Sequence, residues 1–224
     1  MSYWQQVQAI VWKDVMLERR TRQSISTMLI FSVVVIITFN FALEINLSAV
    51  RDVSLGLLWM LVWVMGTLGI QKTFSAETDS RALDAILIAP IERSAIFFGK
   101  AISLFLSIYV TILLLIPLFV MFFNKPFWRP EILFTLLVGT IGYVCSGVFV
   151  GSMAVQTRSS SLLIPILQLP LTLPILPSAA AVSAEFLNPD PAWSNVSVSL
   201  ALVLTYALLM VLAGLLFYNY VIEE

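Results

Sequence analysis

Six long stretches without a single Asp, Glu, Lys or Arg residue constrain this chain more than any other feature. They cover residues 23–43, 53–71, 101–124, 132–157, 159–184 and 191–222. Since an α-helix rises about 1.5 Å per residue, each stretch can cross the roughly 30 Å hydrocarbon core of a bilayer. The stretches also lack the alternation and regular turns of a membrane β-barrel. We therefore predict an all-α polytopic membrane protein with six transmembrane helices.

The helices are predicted to be shorter than the stretches, because polar and proline-rich edges are poor helix centres. They lie at about 27–43, 53–71, 99–122, 132–155, 160–182 and 197–220. Composition supports the same class, since 60% of the residues are hydrophobic and only 11% are charged. A soluble domain of this size cannot bury that much apolar surface. We expect residues 1–224 to form a single membrane domain.

The N-terminal segment, residues 1–22, is predicted to be a helix in the membrane interface on the cytoplasmic side. Four residues recur at spacings of three and four and share one helix face: Trp4, Val7, Val11 and Val15. Trp4 and Trp12 would lie at the level of the lipid headgroups. The alternative is a solvated helix that leads into the membrane. The first stretch is too long for a cleaved signal peptide, so we expect an uncleaved signal anchor.

Basic residues fall unevenly on the two sides of the predicted spans. One side carries most of them: Lys13, Arg19, Arg20, Arg22, Lys72, Arg81, Arg93, Lys100 and Arg158. The other side carries Arg51, Lys125 and Arg129. Because cytoplasmic loops are enriched in Lys and Arg, the first side is predicted to be cytoplasmic, with both termini inside. Aromatic residues near the span ends fit interfacial belts: Phe127, Trp128 and Trp193 outside, Phe217, Tyr218 and Tyr220 inside.

The longest charged segment between two spans, residues 72–98, is predicted to form a cytoplasmic elbow. Glu77 and Arg81 are four residues apart with the acid first, which is the favourable order for an ion pair on a helix. Leu83 and Leu87 share one face of the same helix, and Asp84 lies off that face. We predict a short amphipathic helix that receives force from a partner protein. The alternative is a solvated loop with a few ion pairs.

A proline divides the elbow in two. Pro90 ends the short helix, because the residue before a proline avoids the α region. Proline also suits the first turn of a new helix, and an acid such as Glu92 is favourable near the N-terminus of that helix. The elbow therefore reads as an amphipathic helix, a bend, and a helix that enters the membrane.

The sequence contains no catalytic constellation. It has no histidine and a single cysteine, Cys145, so we expect no bound haem, metal or other cofactor in this chain. The segment Phe97 to Lys100 is similar to the end of a phosphate-binding loop, but Ala101 replaces the required Ser or Thr and Ser94 replaces the first glycine. If the chain transports by ATP hydrolysis, another subunit must bind and hydrolyse the ATP. The net charge of −1 gives no reason to expect a nucleic-acid partner.

The fifth stretch is predicted to be kinked or partly unwound. Four prolines recur in it at intervals of three to five: Pro165, Pro170, Pro174 and Pro177. Each proline removes a backbone donor and clashes with the preceding turn, so the freed carbonyls must be covered by protein or water. Two interpretations stay open, a bending element that faces a partner or a substrate path, and a static kinked helix buried in the bundle.

Glycines and tryptophans in the spans are expected to serve packing. Glycines recur along the fourth stretch at spacings that allow close helix contact: Gly139, Gly142, Gly147 and Gly151. Trp59 and Trp63 lie mid-span, four residues apart, and could stack on a flat ligand, although packing in the core is the preferred interpretation. No acid or base lies deep in a predicted span, which argues against a proton relay.

Three segments together resemble the CcmB family, the permease subunit of the cytochrome c maturation transporter. They are the opening Lys-Asp-x-x-Leu-Glu-x-Arg at residues 13–20, the elbow with Glu-x-x-x-Arg-x-Leu-Asp before Ile-Ala-Pro-Ile-Glu-Arg, and Leu-Pro-Leu-Thr-Leu-Pro at 169–174. The resemblance covers nearly the whole chain. It implies the fold of an ABC-2-type exporter permease in the bacterial inner membrane, with two six-span domains per transporter and hence a second copy of the chain.

The resemblance also implies partners and site residues. The expected partners are the ATPase subunit CcmA, the membrane proteins CcmC and CcmD, and the haem chaperone CcmE, whose release is linked to ATP hydrolysis. The ATPase-coupling element carried over by position is Glu77, Arg81, Leu83, Asp84, Leu87, Pro90 and Arg93. The rival hypotheses are a permease of the same architecture for another cargo and a membrane scaffold that transports nothing. The lack of buried polar groups favours the scaffold slightly.

Overall fold

A computed structural model describes residues 2–21, 23–43, 49–80, 92–155, 160–188 and 190–223. Within these residues the chain forms eight α-helices, and the all-α prediction is confirmed. The helices are α1 (Tyr3–Thr21), α2 (Gln23–Leu43), α3 (Ala49–Ser80), α4 (Arg93–Phe123), α5 (Pro130–Val155), α6 (Ser160–Thr172), α7 (Ile175–Phe186) and α8 (Trp193–Glu223).

Five of these helices, α2, α3, α4, α5 and α8, are long and apolar enough to cross a membrane. The pair α6 and α7 passes the same test only when taken together, and its two halves meet at a bend of 55°. The predicted count of six spans therefore depends on whether this bent pair crosses the membrane as one broken span.

Two helix ends that flank the elbow differ from the prediction. α3 continues to Ser80 instead of ending near residue 71, and α4 begins at Arg93 instead of near residue 99. Residues 71–80 contain charges but neither Gly nor Pro, and charge alone does not end a helix. The elbow is therefore in large part a continuation of the two neighbouring spans.

The two ends of the bundle can be distinguished by contacts between distant segments. At one end, the ring of Phe74 near the end of α3 packs against Gly151 of α5, and Phe97 near the start of α4 packs against Gly214 of α8. This end adjoins the elbow, and we call it the elbow end. At the opposite end, the Arg129 guanidinium donates hydrogen bonds of 2.6 and 2.9 Å to the carbonyls of Phe186 and Asn188.

Helices α3 and α5 run parallel, in contact through glycines. Large side chains occupy the positions where a glycine Cβ would stand, in the same order along both helices: Trp59 at Gly139, Tyr143 at Gly66, Ile70 at Gly147 and Phe74 at Gly151. A Cβ at any of these glycines would collide with the facing side chain. The predicted packing role of the glycines in the fourth stretch is confirmed at Gly139, Gly147 and Gly151.

Two of the predicted belt residues are core residues. Phe127 is fully buried and stacks edge-on with Phe119, and Tyr218 is buried against Phe97. An aromatic ring near a span end can fill a core as well as an interface, and position along the chain does not distinguish the two. Trp128 and Trp193 are exposed as a belt requires.

Candidate functional site

The structure places the predicted coupling residues unevenly. Arg81, Leu83, Asp84, Leu87 and Pro90 all lie outside the described residues. Glu77 falls on the C-terminal part of α3, and Arg93 is the first residue of α4. The described part of the site therefore consists of the two ends of the elbow, which form the end of α3 and the start of α4, together with the residues that contact them.

The N-terminal helix α1 lies along the first turns of α4. Its residues Gln6, Ile10 and Asp14 follow at intervals of four and face α4. The Gln6 side-chain oxygen accepts a 3.0 Å hydrogen bond from the Glu92 backbone N–H, and the Ser103 hydroxyl donates a 3.0 Å bond to the Asp14 carboxylate. Between these two bonds, Ile10 packs directly on Gly99. The start of α4 is therefore bound to α1 along its whole first section.

The face of α1 that is buried differs from the predicted one. Val7 and Ile10 are buried, whereas Trp4 is 72% exposed and Trp12 is 62% exposed. The packed face includes the polar residues Gln6 and Asp14, so apolar periodicity alone does not find it. The exposed tryptophans are consistent with the predicted interfacial location, in which their rings would meet lipid headgroups.

Lys100 lies within the predicted helix 99–122, among the bases assigned to the cytoplasmic side. It lies on α4 as predicted, but its side chain is 0% exposed, whereas a base at the end of a span is expected to reach water. Its Nζ stands 4.8 Å from the centroid of the Phe74 ring on α3, in a cation–π arrangement. The available signal is the apolar run on both sides of Gly99 and Lys100.

A second cluster joins α8 to the same end of the bundle. The Phe97 ring packs in the space at Gly214, 5.1 Å from the ring centroid of Tyr218. The Tyr218 hydroxyl is 2.8 Å from the hydroxyl of Ser152 on α5, which ties α8 and α5 together. The elbow end thus gathers α1, α3, α4, α5 and α8 around the first turns of α4.

The proline-rich fifth stretch breaks at Leu173 and Pro174, between α6 and α7. Pro165 and Pro170 lie inside α6, and Pro177 lies in the first turn of α7, where a missing N–H costs no intrahelical bond. Side chains cover carbonyls around the break: the hydroxyls of Thr172, Ser178 and Tyr206 donate to the carbonyls of Gln168, Pro174 and Leu171 at 2.9, 2.7 and 2.8 Å.

Buried polar groups surround this break, contrary to the expectation that the spans would have none. The Tyr143 hydroxyl donates to the Trp63 carbonyl at 2.8 Å and lies 2.9 Å from the Thr67 hydroxyl. The carboxamide of Gln168 lies beside it, fully buried, and neither its oxygen nor its nitrogen has a hydrogen-bond partner in the described part of the chain.

The two mid-span tryptophans pack in the core, which is the interpretation that the sequence favours. Trp59 is buried against Gly139, and its indole N–H donates a 3.1 Å hydrogen bond to the Ser183 hydroxyl of α7. Trp63 is partly buried, and its carbonyl accepts the Tyr143 bond. The Trp59 bond holds the second half of the broken span against α3, and the Trp63 bond joins α3 to α5.

The described residues offer an open apolar groove but no cluster suited to a metal. The groove has a volume of about 410 Å³ and lies between α4 and α5, lined by residues that include Leu113, Pro117 and Trp128. Among the described residues, no three His, Cys, Asp or Glu side chains could jointly hold a metal ion.

Comparison with known proteins decides the family. The CcmB protein family matches residues 5–215, nearly the whole chain. The chain belongs to the CcmB family. Among curated relatives of this CcmB-family chain, heme exporter protein B of Rhodobacter capsulatus is 25% identical over 173 residues, which cover 76% of this chain and 78% of that protein. Heme exporter protein B of Paracoccus denitrificans is 24% identical over 204 residues, covering 90% and 94%.

Proposed function

We propose that this CcmB-family protein is the membrane permease subunit of an ABC transporter for cytochrome c maturation in the bacterial inner membrane. The observation that carries the proposal is the family match over residues 5–215, together with relatives named heme exporter protein B. The chain has no complete phosphate-binding loop, so ATP is bound and hydrolysed by a separate subunit, CcmA.

The elbow is the proposed contact with the ATPase, on the cytoplasmic side where both termini also lie. Its coupling residues are Glu77, Arg81, Leu83, Asp84, Leu87, Pro90 and Arg93. An apolar stripe with polar flanks suits helix-in-groove docking, and Leu83 with Leu87 supplies such a stripe. Because α3 runs without a break to Ser80, a push on the elbow tilts α3 directly.

The movement then passes to the fifth span. Phe74 and Ile70 of α3 are packed into glycine positions of α5, so a tilt of α3 carries α5 with it. Gln168 of α6 lies against Gly147 of α5. The proline-rich segment, with Pro165, Pro170, Pro174 and Pro177, bends in response, and its break at Leu173 and Pro174 is where its angle changes most easily.

Haem is handled by the complex rather than ligated by this chain. The usual axial ligand, histidine, is absent from the sequence. CcmC and CcmE supply the haem ligands, CcmD completes the membrane assembly, and ATP hydrolysis drives the release of haem-loaded CcmE. A second copy of the chain forms the other half of the permease within the lipid bilayer.

The proposal is tested by placing acids on the apolar stripe of the elbow. Leu83→Asp with Leu87→Asp should abolish co-purification of the ATPase and lower the yield of c-type cytochrome at least tenfold, because charged residues cannot enter an apolar groove without a desolvation cost. The matched control is Ala192→Asp with Ser194→Asp, which adds the same two charges at exposed positions that precede the predicted sixth span, at the other end of the bundle.

The control variant should retain both the ATPase and the cytochrome yield. Retention of the ATPase and of normal cytochrome c levels by the elbow variant would refute the coupling assignment. Deletion of the gene provides the test of the cargo: unchanged levels of c-type cytochromes would assign the permease to another substrate.

A further inference from the structure

We infer that Lys100 is a positioning residue that links the two helices on either side of the elbow, so that displacement of the elbow moves the bundle as one body. The inference rests on the proposed function, because it assigns a role within the same coupling site. It concerns a residue that lies outside the charged elbow helix and whose side chain does not reach the surface.

The burial of Lys100 calls for a specific reason. An ammonium group loses its hydration when buried, and the loss is costly unless other groups compensate. Lysines near span ends ordinarily extend toward water along an apolar stem. Lys100 instead keeps its whole side chain inside the protein, at 0% exposure. A residue that only filled space at this position would be apolar.

A partner that the geometry shows directly is the face of Phe74. The Lys100 Nζ is 4.8 Å from the centroid of that ring, within the range of cation–π attraction, which strengthens when both groups are removed from water. Phe74 is itself 1% exposed and stands in the space at Gly151 of α5. The contact therefore joins α4 to α3, and through Phe74 to α5.

The position of Lys100 along α4 means that its contact with Phe74 connects α3 and α4 inside the bundle, next to the elbow. The described part of α3 ends at Ser80, the next described residue is Glu92, and Lys100 lies two turns inside α4. The same section of α4 meets α1 through Gly99 and Ser103, and α8 through Phe97. With the link in place, force on either side of the elbow moves α3 and α4 together. Without it, α3 and α4 are joined at this end less directly, through α5 and α8, and less of the displacement is transmitted.

The test compares Lys100→Met, which keeps the length and volume but removes the charge, with Lys100→Arg, which keeps a cation over the ring. The readout is the amount of holocytochrome c formed per ATP hydrolysed by the assembled complex. Lys100→Met should leave the ATPase bound and lower this ratio at least fivefold, and Lys100→Arg should restore at least half of it. Failure of arginine to do better than methionine would overturn the role of the charge.

The ring partner supplies a second variant. Phe74→Leu should lower the same ratio, and combining it with Lys100→Met should lower it little further, because the two residues act through one contact. Independent, multiplying losses would overturn the assignment of Phe74 as the partner. Ile112→Ala is the control for stability, since Ile112 is fully buried on α4 but far from this contact. An equal fall of the ratio in the Ile112 variant would overturn the role of the contact, because lost stability alone would then account for the effect.

A distance measurement separates this inference from the proposed function. Spin labels at Ser75 and Glu92, in a Cys145→Ala background, report the distance between the helix ends flanking the elbow. Lys100→Met should broaden the distance distribution and Lys100→Arg should leave it narrow. If the distribution responds in this way while the gene proves dispensable for c-type cytochromes, the link stands and the proposed function is wrong. An unchanged distribution in Lys100→Met overturns the link itself.

Discussion

The hydroxyl of Tyr206 on α8 donates a 2.8 Å hydrogen bond to the backbone carbonyl of Leu171, immediately before the break between α6 and α7. The bend interrupts the regular backbone hydrogen bonds of the helix here, and a side chain from another span provides a donor. The bond fixes the end of α6 to α8 and makes the geometry of the break depend on both helices.

Replacing Tyr206 by phenylalanine should therefore lower stability. A carbonyl at membrane depth that loses its donor costs about 1–3 kcal/mol, because lipid offers no replacement, and Tyr206→Phe keeps the ring. Thermal unfolding in mild detergent would measure the change. Tyr109→Phe is the matched control, because the Tyr109 hydroxyl reaches the Leu133 carbonyl only at 3.4 Å. Equal losses in the two variants would contradict the importance of the bond at the break.

Gln168→Leu should raise stability. The buried carboxamide has no hydrogen-bond partner among the described residues, and removing such a group recovers about 1–3 kcal/mol of desolvation cost. Gln168→Glu should have the opposite effect, because it places an acid in the same buried space. A fall in the unfolding temperature of the leucine variant would show that Gln168 is satisfied in the membrane, by water or by a partner protein.

Gly99→Ala should detach α1 from α4. A Cβ at Gly99 would stand 2.7 Å from the Cβ of Ile10, an atom that cannot rotate away. Hydrogen exchange of the α1 amides should rise, whereas the amides of α5 should be little affected. Gly56→Ala is the control, since nothing lies within 4 Å of its Cβ position, and alanine there should gain up to about 1 kcal/mol of helix propensity. Unchanged exchange in the Gly99 variant would mean that α1 is not held by this contact.

Pro174→Ala should stabilise the fifth span and impair the function proposed for it. Alanine restores a backbone donor and removes the ring clash, together worth up to about 3 kcal/mol in a helix interior. We expect a higher unfolding temperature with a lower yield of c-type cytochrome. Pro177→Ala should change both little, because Pro177 stands in the first turn of α7. A normal yield from a stabilised Pro174 variant would favour a static kinked helix over a bending element.

The span pattern was readable from the sequence because hydrophobic length is set by the bilayer, a constraint that acts on every residue of a span. The break in the fifth span is also predictable, because the prolines that cause it lie within the span itself. The sequence does not predict that Lys100 is buried or that Asp14 contacts Ser103, because each contact depends on which helices become neighbours. The extension of α3 to Ser80 is not predicted for a different reason: the charged residues after 71 suggest the end of a span, but residues 71–80 contain no Gly or Pro that would end the helix.

The hydrogen bonds of Arg129 have a consequence for the two halves of the broken span. They attach the last turn of α7 to the beginning of α5, and five α7 residues are buried as well. α6 is held differently, by the hydrogen bond from Tyr206 near its end and by the burial of Gln168 and Thr172, while Leu162 and Ile166 are exposed. Any change of the 55° angle must therefore disturb the Tyr206 bond, whereas the bonds of Arg129 keep α7 docked on α5.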